Sequence, residues 1–82
     1  MADTNAIREA ARTAVAGMLG SPVQDDESLI MSGRIDSLSV LKLISRLEGL
    51  LNMSIPPAEL QPDDFESIDI MVDTVERVGI AR

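Results

Sequence analysis

The chain contains no histidine and no cysteine. The usual general base near neutral pH and the strongest protein nucleophile are therefore both missing, and any thiol chemistry must be brought in from outside. Without cysteine there is no disulfide framework and nothing that argues for an oxidising compartment, so a cytoplasmic location is expected. Aromatic residues are almost as scarce, with Phe65 standing alone and no tryptophan or tyrosine. Cations are in the minority: seven lysines and arginines face fourteen acids, for a net charge of −7. A negative chain without a basic, aromatic-studded stripe repels phosphates, so nucleic acid is not an expected partner. Metal is not expected either, because no histidine or cysteine offers a transition-metal site. Asp25-Asp26-Glu27 and Asp63-Asp64 also lack the alternating oxygen ligands of a calcium loop. No apolar run approaches a membrane span. The polar start, Met1 to Asn5, has no basic stretch followed by an apolar one, so a soluble, unexported protein is expected.

What remains is 82 residues, read as one domain over 1–82. A chain of this size buries on the order of 60% of its unfolded surface, enough for a small core but not for an enclosed substrate chamber. Ile7, Ala10, Ala11, Ala14, Val15, Met18 and Leu19 recur at helical spacing and predict an amphipathic helix over about residues 4 to 19. Asp3 or Thr4 caps its start, and Gly20 before Ser21-Pro22 supplies a left-handed stop. A long connection follows, in which Leu29, Ile30 and Met31 form the apolar cluster expected to tuck the loop onto the core. The second helix, about residues 37 to 51, presents Val40, Leu43, Ile44, Leu47, Leu50 and Leu51 as its core stripe. Gly49 inside it costs roughly 1 kcal/mol relative to alanine, which predicts a last turn that is either frayed or tightly packed. Asn52 and then Ile55-Pro56-Pro57 end it, because a residue before proline is pushed out of the helical region. Pro62 to Glu66 is expected to make one helical turn. Ser67 then caps a last helix whose core face is Ile68, Met71, Val72, Val75 and Val78, closed by Gly79. No strand pattern survives alternation counting. The predicted fold is all-α: a small four-helix bundle of three main helices and one short one.

The most informative feature is Asp36-Ser37-Leu38, set between the turn residue Gly33 and the apolar run that begins at Val40. Asp36 is a good N-cap, which places Ser37 at the first helical position with its hydroxyl towards solvent. Free backbone N–H groups and the positive end of the helix dipole converge there, an environment that tolerates a phosphate ester. Leu38 and Leu41 lie off the core stripe and continue towards Ser45 as a second, narrower face. Two readings of that face stand: it packs under the long loop, or it is an exposed docking patch beside the serine.

These residues resemble the acyl and peptidyl carrier proteins, which carry 4′-phosphopantetheine on the serine of an Asp-Ser-Leu motif. The resemblance spans nearly the whole chain. It rests on Gly33, Asp36-Ser37-Leu38, Leu43-Ile44-Ser45-Arg46-Leu47-Glu48, Ile55-Pro56, and Ser67-Ile68 opening a last helix with Asp73. It implies a carrier-type four-helix bundle in which Ser37 is the attachment site, Asp36 the motif cap and Leu38 the motif leucine, with Leu38, Leu41, Lys42, Ser45 and Arg46 as partner-docking residues. It further implies that a phosphopantetheinyl transferase using coenzyme A and Mg²⁺ attaches the arm. The terminal thiol then holds an acyl or aminoacyl group as a thioester. Loading by an acyl or aminoacyl ligase and delivery to downstream transferases or synthases follow, in a fatty-acid, polyketide or nonribosomal-peptide-like pathway. Such a carrier is a monomer and a substrate of enzymes, not an enzyme itself, so no catalytic residue is assigned.

The departures from the pattern point to a specialised pathway. Arg34 and Ile35 separate Gly33 from Asp36 where typical fatty-acid carriers have one residue; that spacing looks more like free-standing aminoacyl carriers such as those that load D-alanine. Ser39 stands where an acid is usual, and Lys42 and Arg46 leave the second helix with two cations against Glu48. The acids are concentrated instead at Glu59, Asp63, Asp64, Glu66, Asp69, Asp73 and Glu76, as either a solvated face or a steering surface for basic enzymes. A second class of function keeps the same fold without the arm: an unmodified helical interaction module that binds a partner through Leu38, Leu41 and the acidic last third.

Overall fold

A computed structural model describes residues 3–56, 58 and 60–81. Met1, Ala2, Pro57, Glu59 and Arg82 lie outside the described residues, including the parts of the expectations above that fell on Pro57 and Glu59. The main elements are α1 (Thr4–Leu19), α2 (Ser37–Leu51), β1 (Met53–Ser54), a 3₁₀ turn (Pro62–Phe65), α3 (Ile68–Val78) and β2 (Ile80–Ala81). Each long helix begins on the side-chain cap that its sequence offers: the carboxylate of Asp3 accepts from Ala6 N–H, that of Asp36 from Ser39 N–H, and the Ser67 hydroxyl from Ile70 N–H. Such caps satisfy donors that the helix itself cannot.

The three helices close around one core. Ile7, Ala11, Ala14 and Val15 of α1 meet Val40, Leu43, Ile44 and Leu47 of α2 and Ile68, Met71, Val72 and Val75 of α3, with the lone aromatic Phe65 buried among them. The alanines on α1 leave room for close approach, and the β-branched residues of α3 fill it with side chains that are stiff at χ1. The result is a small all-α bundle of the acyl-carrier type, with the short element a 3₁₀ turn.

Several details differ from the sequence expectation. Leu50 is 52% exposed, because the α2 stripe drifts off the core by its last turn. Met31 is 84% exposed; of its cluster, Leu29 alone is fully buried and Ile30 is half-buried. One anchor suffices because the loop is fixed by hydrogen bonds, described below. Asn52 itself adopts the left-handed conformation that ends α2, with its N–H bonded to the Glu48 carbonyl, so the stop precedes the prolines. Gly49 is neither frayed nor tightly packed: the helix runs on to Leu51, and a Cβ at Gly49 would meet nothing within 4 Å. A two-residue antiparallel pairing, Met53 with Ala81 and Ser54 with Ile80, ties the end of α3 to the end of α2. Two residues are too short for an alternation pattern to register. Gly79 permits this pairing by its size, since a Cβ there would come within 2.6 Å of both Met53 Cε and the Val75 carbonyl oxygen.

Part of the acidic last third is engaged within the fold, although Asp63, Asp69, Asp73 and Glu76 stay exposed. Asp64 accepts from Gln61 N–H and pairs with Arg77, Asp69 pairs with Arg8, and Glu76 accepts from the Thr4 hydroxyl at 2.8 Å.

Candidate functional site

The approach to Ser37 is built from a chain of backbone constraints. Glu66, at the end of the 3₁₀ turn, reaches across to the connection between α1 and α2. Its carboxylate accepts from the Ser28 hydroxyl at 2.9 Å and from the backbone N–H groups of Leu29, Ile30 and Met31 at 2.9, 2.7 and 3.1 Å. Burial pushes the Glu66 carboxyl up, but the N–H groups of Ile30 and Met31, the Ser28 hydroxyl and the Leu29 N–H together outweigh it and hold the group below the usual carboxylate range. The chain then turns through Gly33, whose φ of 81° is costly for any side-chain-bearing residue. Ile35 N–H bonds back to the Leu29 carbonyl at 2.9 Å, and the Ile35 side chain is buried.

Ile35 precedes the cap and Val40 follows it by four positions, the spacing of a hydrophobic staple, and both are buried in the same core cluster. The entry angle of α2 is thus fixed on the apolar side by Ile35 and on the polar side by Asp36. The Asp36 carboxylate accepts from Ser39 N–H at 2.7 Å. That backbone bond first, and the Ser39 hydroxyl next, hold the Asp36 carboxyl below its ordinary value. It is charged at neutral pH, already engaged, and a poor proton acceptor for its neighbour.

Ser37 occupies the first position of α2, exposed. Its hydroxyl makes no hydrogen bond among the described residues. Beside it lies a shallow hollow of about 110 Å³, walled by Val40, Leu41, Ile44, Leu60 and Pro62. A free hydroxyl at the positive end of a 15-residue helix, open to solvent and flanked by an apolar recess, fits a phosphodiester-linked arm. Among the described residues no side chain accepts a hydrogen bond from that hydroxyl.

The second face of α2 is exposed. Leu38 and Leu41 are 79% and 60% exposed, so this face does not pack under the long loop. Lys42, Ser45 and Arg46 are also exposed on α2. The structure thus gathers every residue singled out from the sequence along the outer side and start of one helix. Ile35 and Glu66 were not singled out. Ile35 carried a signal in its position before the cap; Glu66, one acid among many, carried none.

The fold is that of a small helical carrier protein, and comparison with known proteins gives the family: the model for the phosphopantetheine attachment site matches residues 9–75, and the chain belongs to that family. Its members bear 4′-phosphopantetheine covalently and are not themselves catalysts. More particularly, the chain is similar to the D-alanyl carrier proteins of Streptococcus pyogenes serotype M1, serotype M5 (strain Manfredo) and serotype M49 (strain NZ131). Each is 36% identical over 53 residues, which is 65% of this chain and 67% of the relative. Among the described residues no helix is long and apolar enough to cross a membrane.

Proposed function

We propose that residues 1–82 form a single, monomeric, cytoplasmic carrier domain in which Ser37 bears the 4′-phosphopantetheine arm and the cargo is an aminoacyl group. The observation that carries this reading is the exposed, unbonded Ser37 hydroxyl at the capped start of α2. The arm, once attached, supplies the thiol that holds the cargo as a thioester. Asp36 fixes the helix start so that the hydroxyl is presented at one place. Leu38 and Leu41 offer an apolar contact to the enzymes that must approach it. The two residues between Gly33 and Asp36, and the likeness to D-alanyl carrier proteins, favour an aminoacyl over a fatty-acyl cargo. The expected partners are a phosphopantetheinyl transferase, which must contribute the base, then an aminoacyl-loading ligase and an accepting transferase.

Intact-protein mass spectrometry after incubation with coenzyme A, Mg²⁺ and a broad-specificity phosphopantetheinyl transferase tests the attachment. One added arm per chain is expected. No addition to a folded sample, while a reference carrier is modified in the same tube, would leave an unmodified interaction module in its place. The cargo is tested separately: treating protein isolated from its host with hydroxylamine should release an amino acid derivative, and release of a fatty-acyl product would refute the aminoacyl assignment.

Leu41→Glu separates contact from folding. At 60% exposure the leucine contributes little to the core, so the melting temperature should move by less than about 4 °C. The kcat/KM for modification should fall by roughly tenfold or more, as for a contact residue at an interface. A fall of more than about 10 °C measured by circular dichroism would instead place Leu41 in the core.

A further inference from the structure

We propose that the outer face of α2 docks an acidic protein surface, one whose carboxylates flank an apolar patch, so that recognition here runs opposite in sign to the net charge of the domain. Carboxylates are abundant in this chain, and the described cations away from α2 have all found one. Arg8 pairs with Asp25 at 2.8 Å and with Asp69 at 2.5 Å, Arg12 with Asp25 at 2.7 Å and with Glu9 at 3.0 Å, Arg77 with Asp64 at 3.3 Å, and Arg34 with Glu27. Lys42 and Arg46 are the exceptions: among the described residues neither donates a hydrogen bond nor forms an ion pair. Lys42 acts on Asp36 only through space. The two cations are four residues apart and so sit one helical turn from each other, with Cβ atoms roughly 6 Å apart.

Their surroundings suit a partner better than solvent. Exposed Leu38 and Leu41 lie on the same side of the helix, towards Ser37. Beyond Arg46 an open hollow of about 310 Å³ between α1 and α2 is lined by Thr13, Ala14, Gly49 and Leu50, and Arg46 itself leans over Gly17, where a Cβ would come within 3.2 Å of its Nη1. Gly49 stands in the middle of this strip with no internal contact to justify it, at a cost to the helix of about 1 kcal/mol. Close approach of a partner's side chain or backbone gives that glycine a use. A matching surface would place carboxylates against Lys42 and Arg46 and apolar side chains against Leu38, Leu41 and the hollow. An anionic membrane or a nucleic acid fits less well, since two cations cannot offset the repulsion between many phosphates and the remaining acids of the domain.

This inference deepens the carrier reading, on which the partner's being a loading or accepting enzyme rests, but the sign of the docking face is measurable apart from it. The protein used is the chain after its mass has established whether the arm is present, so failure of attachment and failure of docking are scored in different experiments. Two amphipathic helical peptides with the same leucine face, one flanked by glutamates and one by lysines, are titrated into ¹⁵N-labelled protein at about 20 mM and about 300 mM NaCl, conditions under which an ionic contact is weakly and strongly screened. The glutamate-flanked peptide should bind at least about tenfold more tightly than the lysine-flanked one at low salt, shift the amides of residues 38–50, and weaken as salt rises. Lys42→Glu with Arg46→Glu should leave the melting temperature unchanged and reverse the peptide preference. Equal binding of the two peptides, a preference for the lysine-flanked one, or shifts confined to another face would overturn the proposal. So would capture of the wild-type protein by phosphatidylglycerol vesicles with no response to either peptide.

Discussion

Ser37→Ala is expected to fold as the wild type does and to accept no phosphopantetheine at all. The two halves of this expectation have separate causes. Folding is untouched because the hydroxyl is exposed and bonds to nothing among the described residues, while the cap that starts α2 belongs to Asp36 and Ser39 N–H. Alanine also has a helix propensity better than serine by a few tenths of a kcal/mol, so the melting temperature should stay within about 3 °C or rise slightly. Modification is lost completely because no other side chain replaces the nucleophile: the chain has no cysteine, and the next hydroxyl in the first turn, on Ser39, lies in the half-buried region behind Asp36. Circular dichroism and intact mass read the two halves from one sample. An arm found on the variant would move the attachment point to Ser39 or Ser45, and a collapse of helix content would show that Ser37 supports the fold.

The helices and the serine were legible because each is encoded locally. A 3.6-residue apolar period, an N-cap and a glycine or proline stop lie within one stretch of chain, and α1, α2 and α3 begin where Asp3, Asp36 and Ser67 place them. What escaped depends on residues far apart in sequence. The Glu66 carboxylate meets N–H groups 35 to 37 positions away, and no composition or spacing announces which acid of a run will turn inward. Membership of the Leu29-Ile30-Met31 cluster points Met31 to the core, and helical spacing on the α2 stripe points Leu50 there. Tertiary packing left both outside, Met31 because Glu66 holds its loop by the backbone and Leu50 because the α1–α2 contact has opened by that turn. The β1–β2 pairing likewise joins two dipeptides 27 residues apart.

Glu66 therefore carries the prediction with the largest expected effect on stability. Glu66→Ala removes the acceptor for the Ser28 hydroxyl and for the backbone N–H groups of Ile30 and Met31, while Leu29 N–H keeps its 2.8 Å bond to the residue-66 carbonyl, in a loop with one fully buried apolar anchor of its own, Leu29, before Ile35. Donors left unpaired at a partly buried site are costly, and the melting temperature should fall by about 5–15 °C. Glu66→Gln keeps the volume and one carbonyl oxygen but loses the charge and turns an NH₂ group towards donors, so it should fall between alanine and the wild type. The pH dependence follows from the sign of the shift. The native carboxyl is held below its ordinary value, so its stabilisation is fully present above the unfolded-state value of about 4.3 and is lost as pH falls through the lower native value. The gap in melting temperature between wild type and Glu66→Gln should accordingly be widest at neutral pH and close as the pH falls through the lowered native value. Asp25, Glu27 and Asp36 are held low as well, but they are present in both proteins and leave the difference to Glu66. Hydrogen exchange locates the effect: the amides of Ile30 and Met31 should lose protection first, ahead of Leu29, which keeps its bond to the residue-66 carbonyl, and Asp36 and Ser37, which this loop delivers to the start of α2, should follow. A gap that stays constant with pH would mean that the carboxylate's charge contributes nothing, and unchanged exchange at Ile30 and Met31 would mean that the loop is held by Leu29, its backbone bond to residue 66 and Ile35 alone.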